Sequence, residues 1–346
     1  YADAAGHIGY TASGAIPIRP RSDGLRPVSG AGEDEWTSFI SFERLPRLLD
    51  PPRGYVVTAN NRVVAGGYPY SFSADWPEPY RAKRIADLLL SREKLGVAEV
   101  REIQQDRISY QARELLPLLL DTRVRDAASE DALGRLRSWN GDFAPDSVPA
   151  SIYAAWYAAL SQMPEDELRG APPGNVRSRF LINALKAESG WCDDIRTARR
   201  ESCADFKAAS LHNAVVTLRA KLGSDPAQWH WSRLHRARFA HGVFNAVPLL
   251  RRFFSLETGQ GGDASTVNVG AYRRDGSFLM TDGPSYRQII DLTNWEESLF
   301  VHTTGQSGNV FDRRFRDLLP LWREGEYIRI GGSGKAAETL TLQPGP

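Results

Sequence analysis

Residues 80–96 read YRAKRIADLLLSREKLG, and here the texture of the chain changes. Ile85, Leu88 and Leu89 fall at helical spacing, and Gly96 supplies a stop. The stretches that follow, VAEVREIQQD, ARELLPLLLDTRV, SEDALGRLRSW and SIYAAWYAALSQM, continue in the same style. Further on, Ser202 with Asp205 makes a capping-box-like start to a helix that buries Leu211, Val215, Leu218 and Leu222 before Gly223 ends it. Residues 80–222 are therefore expected to be mostly helical. The flanks differ. The first seventy residues carry Gly, Pro and short β-branched or aromatic runs such as Gly54-Tyr55-Val56-Val57-Thr58, read here as a strand. Residues 14–35, rich in Gly, Pro, Arg and Asp, read as a surface connection. TVNVGAYRR, GSFLM, YRQIIDL and SLFVHTT are strand-like, with Asp275-Gly276 as a turn. Strands, then helices, then strands predict an α+β protein with a large helical insertion. The expected divisions are 1–79, 80–235 and 236–346, the outer two sharing one layered core.

The totals bound function more than they reveal it. The 346 residues are 42% hydrophobic and 25% charged, ordinary values for a globular protein. A net charge of +1 gives no reason to expect nucleic acid or an anionic membrane as partner. No apolar run approaches the ~18 residues that cross a bilayer. The chain opens at Tyr1 without an initiator Met, a basic n-region or a signal-peptide core, which reads as an internal portion of a longer protein. The two cysteines, Cys192 and Cys203, would lie roughly 16 Å apart in one helix. A disulfide between them needs an intervening loop; two separate buried thiols are the alternative. A bridge would point to an oxidising compartment.

Few residues announce chemistry. His230, His235 and His241 cluster, but not at the spacing of a helical metal pair, and no cysteine or carboxylate pattern completes a site. Neither Ser307 nor Ser333 sits in a GxSxG elbow. GGDASTVNVG (261–270) lacks a Walker lysine and GxGxxG spacing. More informative is RGYVVTANNRVV (53–64), where Asn60-Asn61 follow the expected strand. An asparagine N–H at a rigid strand end can meet a developing oxyanion; equally, paired asparagines can simply make a turn.

The order of these blocks carries a resemblance. YADAAGHIGYTASGAIPIR (1–19) resembles the YAD–GNIGY–G–P–R segment within the large subunit of penicillin acylases. Phe42-Glu43, Pro46 and DPPRGYVVTANNR (50–62) are similar to that family's P-F-E and N-P-x-x-G-Y-I-x-x-x-N-N stretch. In YPYSFSADWPEPYRAKRIADLL (68–89), Trp76 precedes Arg81 as a Trp precedes an Arg in the next family block. LRSWNGDFAPDSVPASIYAAW, WHWSRLHRARFAH, GGDASTVNVG, GPSYRQIIDL and TTGQSGNVFDRRFRDLLPLW resemble later blocks, so the likeness runs over nearly the whole chain.

That resemblance implies an N-terminal nucleophile hydrolase with a four-layer αββα sandwich. In this family the precursor cuts itself and exposes a serine at the amino terminus of the large subunit. The serine attacks an amide carbonyl while its α-amine, with an ordinary pKa of ~7.7–8.0, serves as base. No cofactor is required for this chemistry. Carried onto this chain, Asn60 matches the side-chain oxyanion donor and Arg81 the arginine beside the nucleophile. Asn268 is a further candidate for the site, with the ordering of a strand near the core as its alternative role. The nucleophile, the backbone oxyanion donor and the small subunit are expected outside residues 1–346, and these residues alone are expected to be inactive. The family's calcium site draws most of its ligands from those other parts, and its late aspartate ligand falls near Tyr70, so a structural calcium is an expectation for the complete enzyme rather than for these residues. The expected partners are the small subunit and the remainder of the large subunit, from one precursor, with a small N-acyl substrate. The expected location is periplasmic or secreted. A non-catalytic binding or scaffold module, and an unrelated hydrolase with a dispersed Ser-His-Asp site, are the competing readings.

Overall fold

A computed structural model describes residues 1–163, 166, 168, 176–330 and 340–343. Among the described residues, ten α-helices and eleven short strands alternate with long connections. The amino-terminal stretch holds β1 (Gly9–Thr11), β2 (Pro17–Ile18), β3 (Ser38–Phe39) and β4 (Arg47–Leu49). The helical stretch holds α1 (Tyr80–Leu90), α2 (Val97–Gln104), α3 (Tyr110–Leu115), α4 (Ala127–Arg137), α5 (Val148–Leu160), α6 (Ser178–Lys186) and α7 (Cys203–Leu222). Next come α8 (Trp231–Leu234), β5 (Arg236–Phe239), α9 (Pro248–Phe254), β6 (Leu256–Gly259), β7 (Ala271–Tyr272) and β8 (Met280–Asp282). The chain continues through β9 (Tyr286–Ile289), β10 (Leu299–His302), α10 (Leu319–Glu324) and β11 (Ile328–Arg329). Among the described residues the strands pair in five small antiparallel sheets: β1–β4, β2–β3, β5–β6, β7–β8 and the three-stranded β11–β10–β9.

The main core lies around α5. This helix is apolar on nearly every side, and Ile152, Tyr153, Ala154, Trp156 and Leu160 are all buried. Such a helix belongs in the middle of a protein. Ser147 starts it by accepting a hydrogen bond from the Ala150 N–H at 3.2 Å. Its alanines let α7 approach closely, and Leu211, Val215 and Leu218 of α7 complete the packing. Each large side chain removed from water here stabilises the fold by about 1.5–3 kcal/mol. α7 begins as the sequence predicts: the Ser202 and Asp205 side chains cap one another's backbone N–H groups, and Gly223 closes the helix at φ +96°.

Cys192 ends a short 3-10 turn and Cys203 opens α7, and the two are joined by a disulfide with their α-carbons 4.9 Å apart. Residues 193–202 form the intervening loop. Closing a ring of this size contributes about 2–3 kcal/mol, chiefly by restricting the unfolded chain.

Three segments depart from the strands expected of them; of GSFLM, only Met280 enters a strand, β8. Gly54–Thr58 is not a strand; it runs without a pairing partner. Its Tyr, Val and Thr suit a pleated surface, but β propensity expresses packing against neighbours. Here Gly54 opens the segment at φ +73° and the Asn60 bend follows it. Of TVNVGAYRR, only Ala271–Tyr272 forms a strand. Residues 266–270 instead fold back on themselves: the Thr266 hydroxyl donates to the carbonyls of Asp263 and Asn268, and the Gly270 N–H reaches the Asp263 carbonyl.

An aromatic column joins the helices to these later strands. Phe143 packs edge-on to Trp231 at 5.7 Å, Trp231 stacks on His235 at 4.7 Å, and Tyr272 of β7 meets Trp231 at 5.1 Å. A smaller core gathers Ala237, Val301, Leu318 and Trp322 under β5, β10 and α10.

Candidate active site

The polypeptide reaches Asn60 through an exposed bend in which Asn60 adopts the left-handed conformation, φ +63°. Asparagine tolerates this region better than most residues. The Asn61 side chain holds the bend by accepting the Ala59 N–H at 3.0 Å and donating to the Arg62 carbonyl at 3.1 Å. Asn60-Asn61 thus make a turn, and the two asparagines divide the labour. Asn61 builds the bend and Asn60 projects from it.

Arg81, in the first turn of α1, donates from Nη2 to Asn60 Oδ1 at 2.8 Å. A guanidinium can only donate, so it fixes which end of the amide faces it. Asn60 Nδ2 is thereby turned away and has no hydrogen-bond partner among the described residues. A fixed, unspent amide donor is what a developing oxyanion requires.

α1 is held in place by buried polar contacts. Arg84 forms a forked pair with Asp106, at 2.9 and 2.6 Å, and both side chains are largely shielded. The Tyr80 hydroxyl donates to Glu114 at 2.8 Å, and burial pushes its pKa above the ordinary range. The Asp106 carbonyl also accepts the Asn268 N–H at 2.8 Å, tying α1 to the 261–270 loop.

That loop carries a residue the sequence reading did not single out. Asp263 is only 4% exposed and lies near Arg81. Burial pushes its carboxyl up to about 6, against the opposing pull of hydrogen bonds from the Ser265 N–H (2.7 Å) and the Ser109 hydroxyl (3.0 Å) and the Arg81 charge. Burial also lowers the pKa of Arg81, an effect that the Asp263 charge opposes. The adjoining glycines are required by close approach. Any Cβ on Gly262, which stands at φ +81°, would lie 2.2 Å from the Asn268 carbonyl oxygen, and one on Gly270 would lie 2.6 Å from the His235 ring. A carboxylate inside a glycine-tight loop was the available signal, but its proximity to Arg81 is tertiary.

Arg81 and Asp263 line one cavity of about 310 Å³, together with Glu78, Tyr157, Tyr272 and Arg274. Burial pushes the Tyr157 hydroxyl up to about 12, and Arg274 donates to its oxygen at 3.1 Å. A cavity lined by three arginines, Arg81, Arg177 and Arg274, and a perturbed carboxyl is a polar site rather than a hydrocarbon slot.

Asn60 and Arg81 are therefore brought together, whereas Asn268 is not. Its Oδ1 accepts from buried Arg287 at 2.9 Å and its Nδ2 donates to Gln105 at 3.2 Å. Both ends of that amide serve the smaller core. His235 is also structural in its setting: it is fully buried, its Nδ1 is 2.8 Å from the Gln260 carbonyl, and burial pulls its pKa down to about 4. The Cys192–Cys203 bridge borders a different, larger cavity of about 900 Å³. Tyr70, at the position of the family's late calcium ligand, accepts a hydrogen bond from the Arg44 guanidinium at 2.5 Å. A cation beside that phenol opposes a second one, so the residues there do not fit calcium. Among the described residues, no group of three His, Cys, Asp or Glu side chains is placed to hold a metal ion. No described helix is long and apolar enough to cross a membrane.

The architecture matches that of the thermostable penicillin G acylase from Alcaligenes faecalis, with a TM-score of 0.64 at 20% identity over 100% of this chain and 67% of that one. The α+β fold expected from the sequence is thus the fold of that acylase. Residues 1–339 match the penicillin amidase family model, and the chain belongs to that family. It is 27% identical to the acyl-homoserine lactone acylase QuiP of Pseudomonas fluorescens Pf-5, over 100% of this chain and 46% of the relative. It is 28% identical to the penicillin acylase 2 proenzyme of Pseudomonas sp. SE83, over 99% of this chain and 45% of the relative. The chain therefore spans a little under half the length of these relatives.

Proposed function

We propose that this chain is part of a linear-amide acylase that removes N-acyl groups, from β-lactams, N-acyl homoserine lactones or related compounds, through an acyl-enzyme. The attacking group in this reading is an amino-terminal serine contributed from outside residues 1–346, with its α-amine as base. The acyl carbonyl becomes a tetrahedral oxyanion, and Asn60 Nδ2 donates to it. Arg81 acts through Asn60, holding Oδ1 so that Nδ2 is left to meet the oxyanion. The observation that carries the reading is this orientation: a donor-only guanidinium fixes the amide, and the opposite end is left unspent. Processing from a precursor, a small-subunit partner and a periplasmic or secreted location belong to the same proposal. Residues 1–79 and 236–346 are assigned to the hydrolase core and 80–235 to the helical segment. No cofactor or metal takes part in the chemistry.

The test compares purified residues 1–346 with the complete processed protein, on N-acyl homoserine lactones and on a penicillin. The complete protein is expected to release the acyl group with a burst of acyl-enzyme, and residues 1–346 to release none. Turnover by residues 1–346 alone would remove the outside nucleophile from the account, and a complete protein inert on every N-acyl amide would favour a binding module.

A further inference from the structure

We propose that Asp106 is a positioning residue for the amide-cleaving site: through Arg84 it fixes where α1 presents Arg81 to Asn60. The inference rests on the acylase reading for its consequence, but its geometry lies wholly within this chain.

Asp106 belongs to residues 106–109, the link between α2 and α3, and this link is anchored to the main core. The Phe143 N–H donates to the Arg107 carbonyl at 3.0 Å, and the Ser109 N–H to the Gly141 carbonyl at 2.9 Å. Ile108 and Asp142 form an antiparallel bridge between the same segments. Phe143 is itself fully buried against Trp231. A link held along its length by the core is a rigid support for a site.

From that support one tie runs to each side of Arg81. On the first side, the Asp106 carboxylate accepts both arms of the Arg84 fork, Nε at 2.9 Å and Nη2 at 2.6 Å. The same carboxylate accepts the Ile108 N–H at 3.3 Å, which ties it to its own link. Arg84 stands about one helical turn beyond Arg81 in α1, so a two-pronged contact there sets both the rotation and the advance of the helix. On the second side, the Asp106 carbonyl accepts the Asn268 N–H at 2.8 Å, and the Ser109 hydroxyl donates to Asp263 at 3.0 Å. The same four residues therefore place the loop whose carboxyl lies near Arg81.

The burial of the pair favours placement over stability as its role. The Arg84 and Asp106 side chains are only 17% and 12% exposed in this chain by itself. Removing two charges from water costs about what their attraction returns, and an apolar pair of similar volume often holds a fold as well. An apolar pair lacks the direction that a fork supplies. The start of α1 adds little direction of its own. Pro79 occupies the N-cap position without a side-chain cap, and Tyr80 contributes one bond, to Glu114, about which the first turn can still pivot.

The test replaces the pair, in the complete protein, by Arg84→Met with Asp106→Leu, which removes both charges together and fills their space. Thermal stability should be kept. The kcat should fall roughly 10- to 100-fold while KM stays within about twofold. In an Arg81→Ala background the same two changes should cost no further rate, because no guanidinium is left to place. Arg84→Lys keeps the charge and loses the fork, so kcat should fall on the order of tenfold in a folded protein; this variant carries the test if the apolar pair fails to fold. A parent-like kcat in either folded variant, or losses that multiply with Arg81→Ala, would overturn the proposal. A complete protein that cleaves no N-acyl amide would instead sink the acylase reading alone. The placement is then read from crystal structures of the variants, where Arg81 should leave Asn60, and a bond retained at 2.8 Å would overturn the positioning role.

Discussion

Asn60→Ala in the complete, matured enzyme is expected to lower kcat by roughly 10²–10³, or about 2.7–4 kcal/mol of transition-state stabilisation. The loss should appear in kcat rather than KM. The donor meets a neutral carbonyl weakly in the ground state and an oxyanion strongly in the transition state. Asn60 is exposed and its side chain bonds to Arg81, so stability should change little beyond that bond and the cost of placing alanine at φ +63°. An Asn60→Gly variant separates the two effects, since glycine accepts that backbone and also lacks the donor. Both variants should lose the same rate. A rate near the parent's in the glycine variant would show that Asn60 serves only the bend.

The second large effect is expected at Asp263. Its folded pKa of about 6 lies above the ordinary aspartate value of about 3.9. Between these values the folded state holds more protons than the unfolded chain. Stability from this group is therefore present below pH ~4 and lost as pH rises through about 6, by about 3 kcal/mol. Asp263→Asn keeps an acceptor for the Ser265 N–H and can donate to the Ser109 hydroxyl, which rotates to suit. The variant should be more stable than the parent above pH ~6 and match it near pH 4, less whatever attraction to Arg81 is lost. Thermal unfolding at pH 4.5 and 7.5 measures this. An equal difference at both pH values would show that the carboxyl does not carry the titration.

Local signals were legible in the sequence where local physics decides the structure. α7 is the clear example: Ser202 and Asp205 at its start, Gly223 at its end and Leu211, Val215 and Leu218 between them are signals contained within the helix itself. The wholly apolar face of α5 likewise reads directly from SIYAAWYAAL. Gly54–Thr58 failed as a strand because residue preference cannot supply a pairing partner. At the site, Asn60-Asn61 stood out by pattern after an expected strand, with a plain turn as the alternative; the role of Asn60 and the choice of Arg81 came from resemblance to family blocks. Their hydrogen bond closes across 21 positions and is invisible to periodicity. Asp263 was missed for a similar reason. The loop GGDASTVNVG was conspicuous for its glycines, but what raises the carboxyl's pKa is burial, which only the folded chain creates.

The central claim is that Arg81 acts by orienting Asn60. A double-mutant cycle of Asn60→Ala and Arg81→Ala on kcat, in the complete enzyme, tests it most directly. Arg81→Ala alone should cost on the order of 10²-fold through a misaligned donor. In the doubly substituted enzyme the arginine has nothing left to orient, so the rate should fall no further than with Asn60→Ala alone. Losses that multiply would contradict the account and give Arg81 a role independent of the amide.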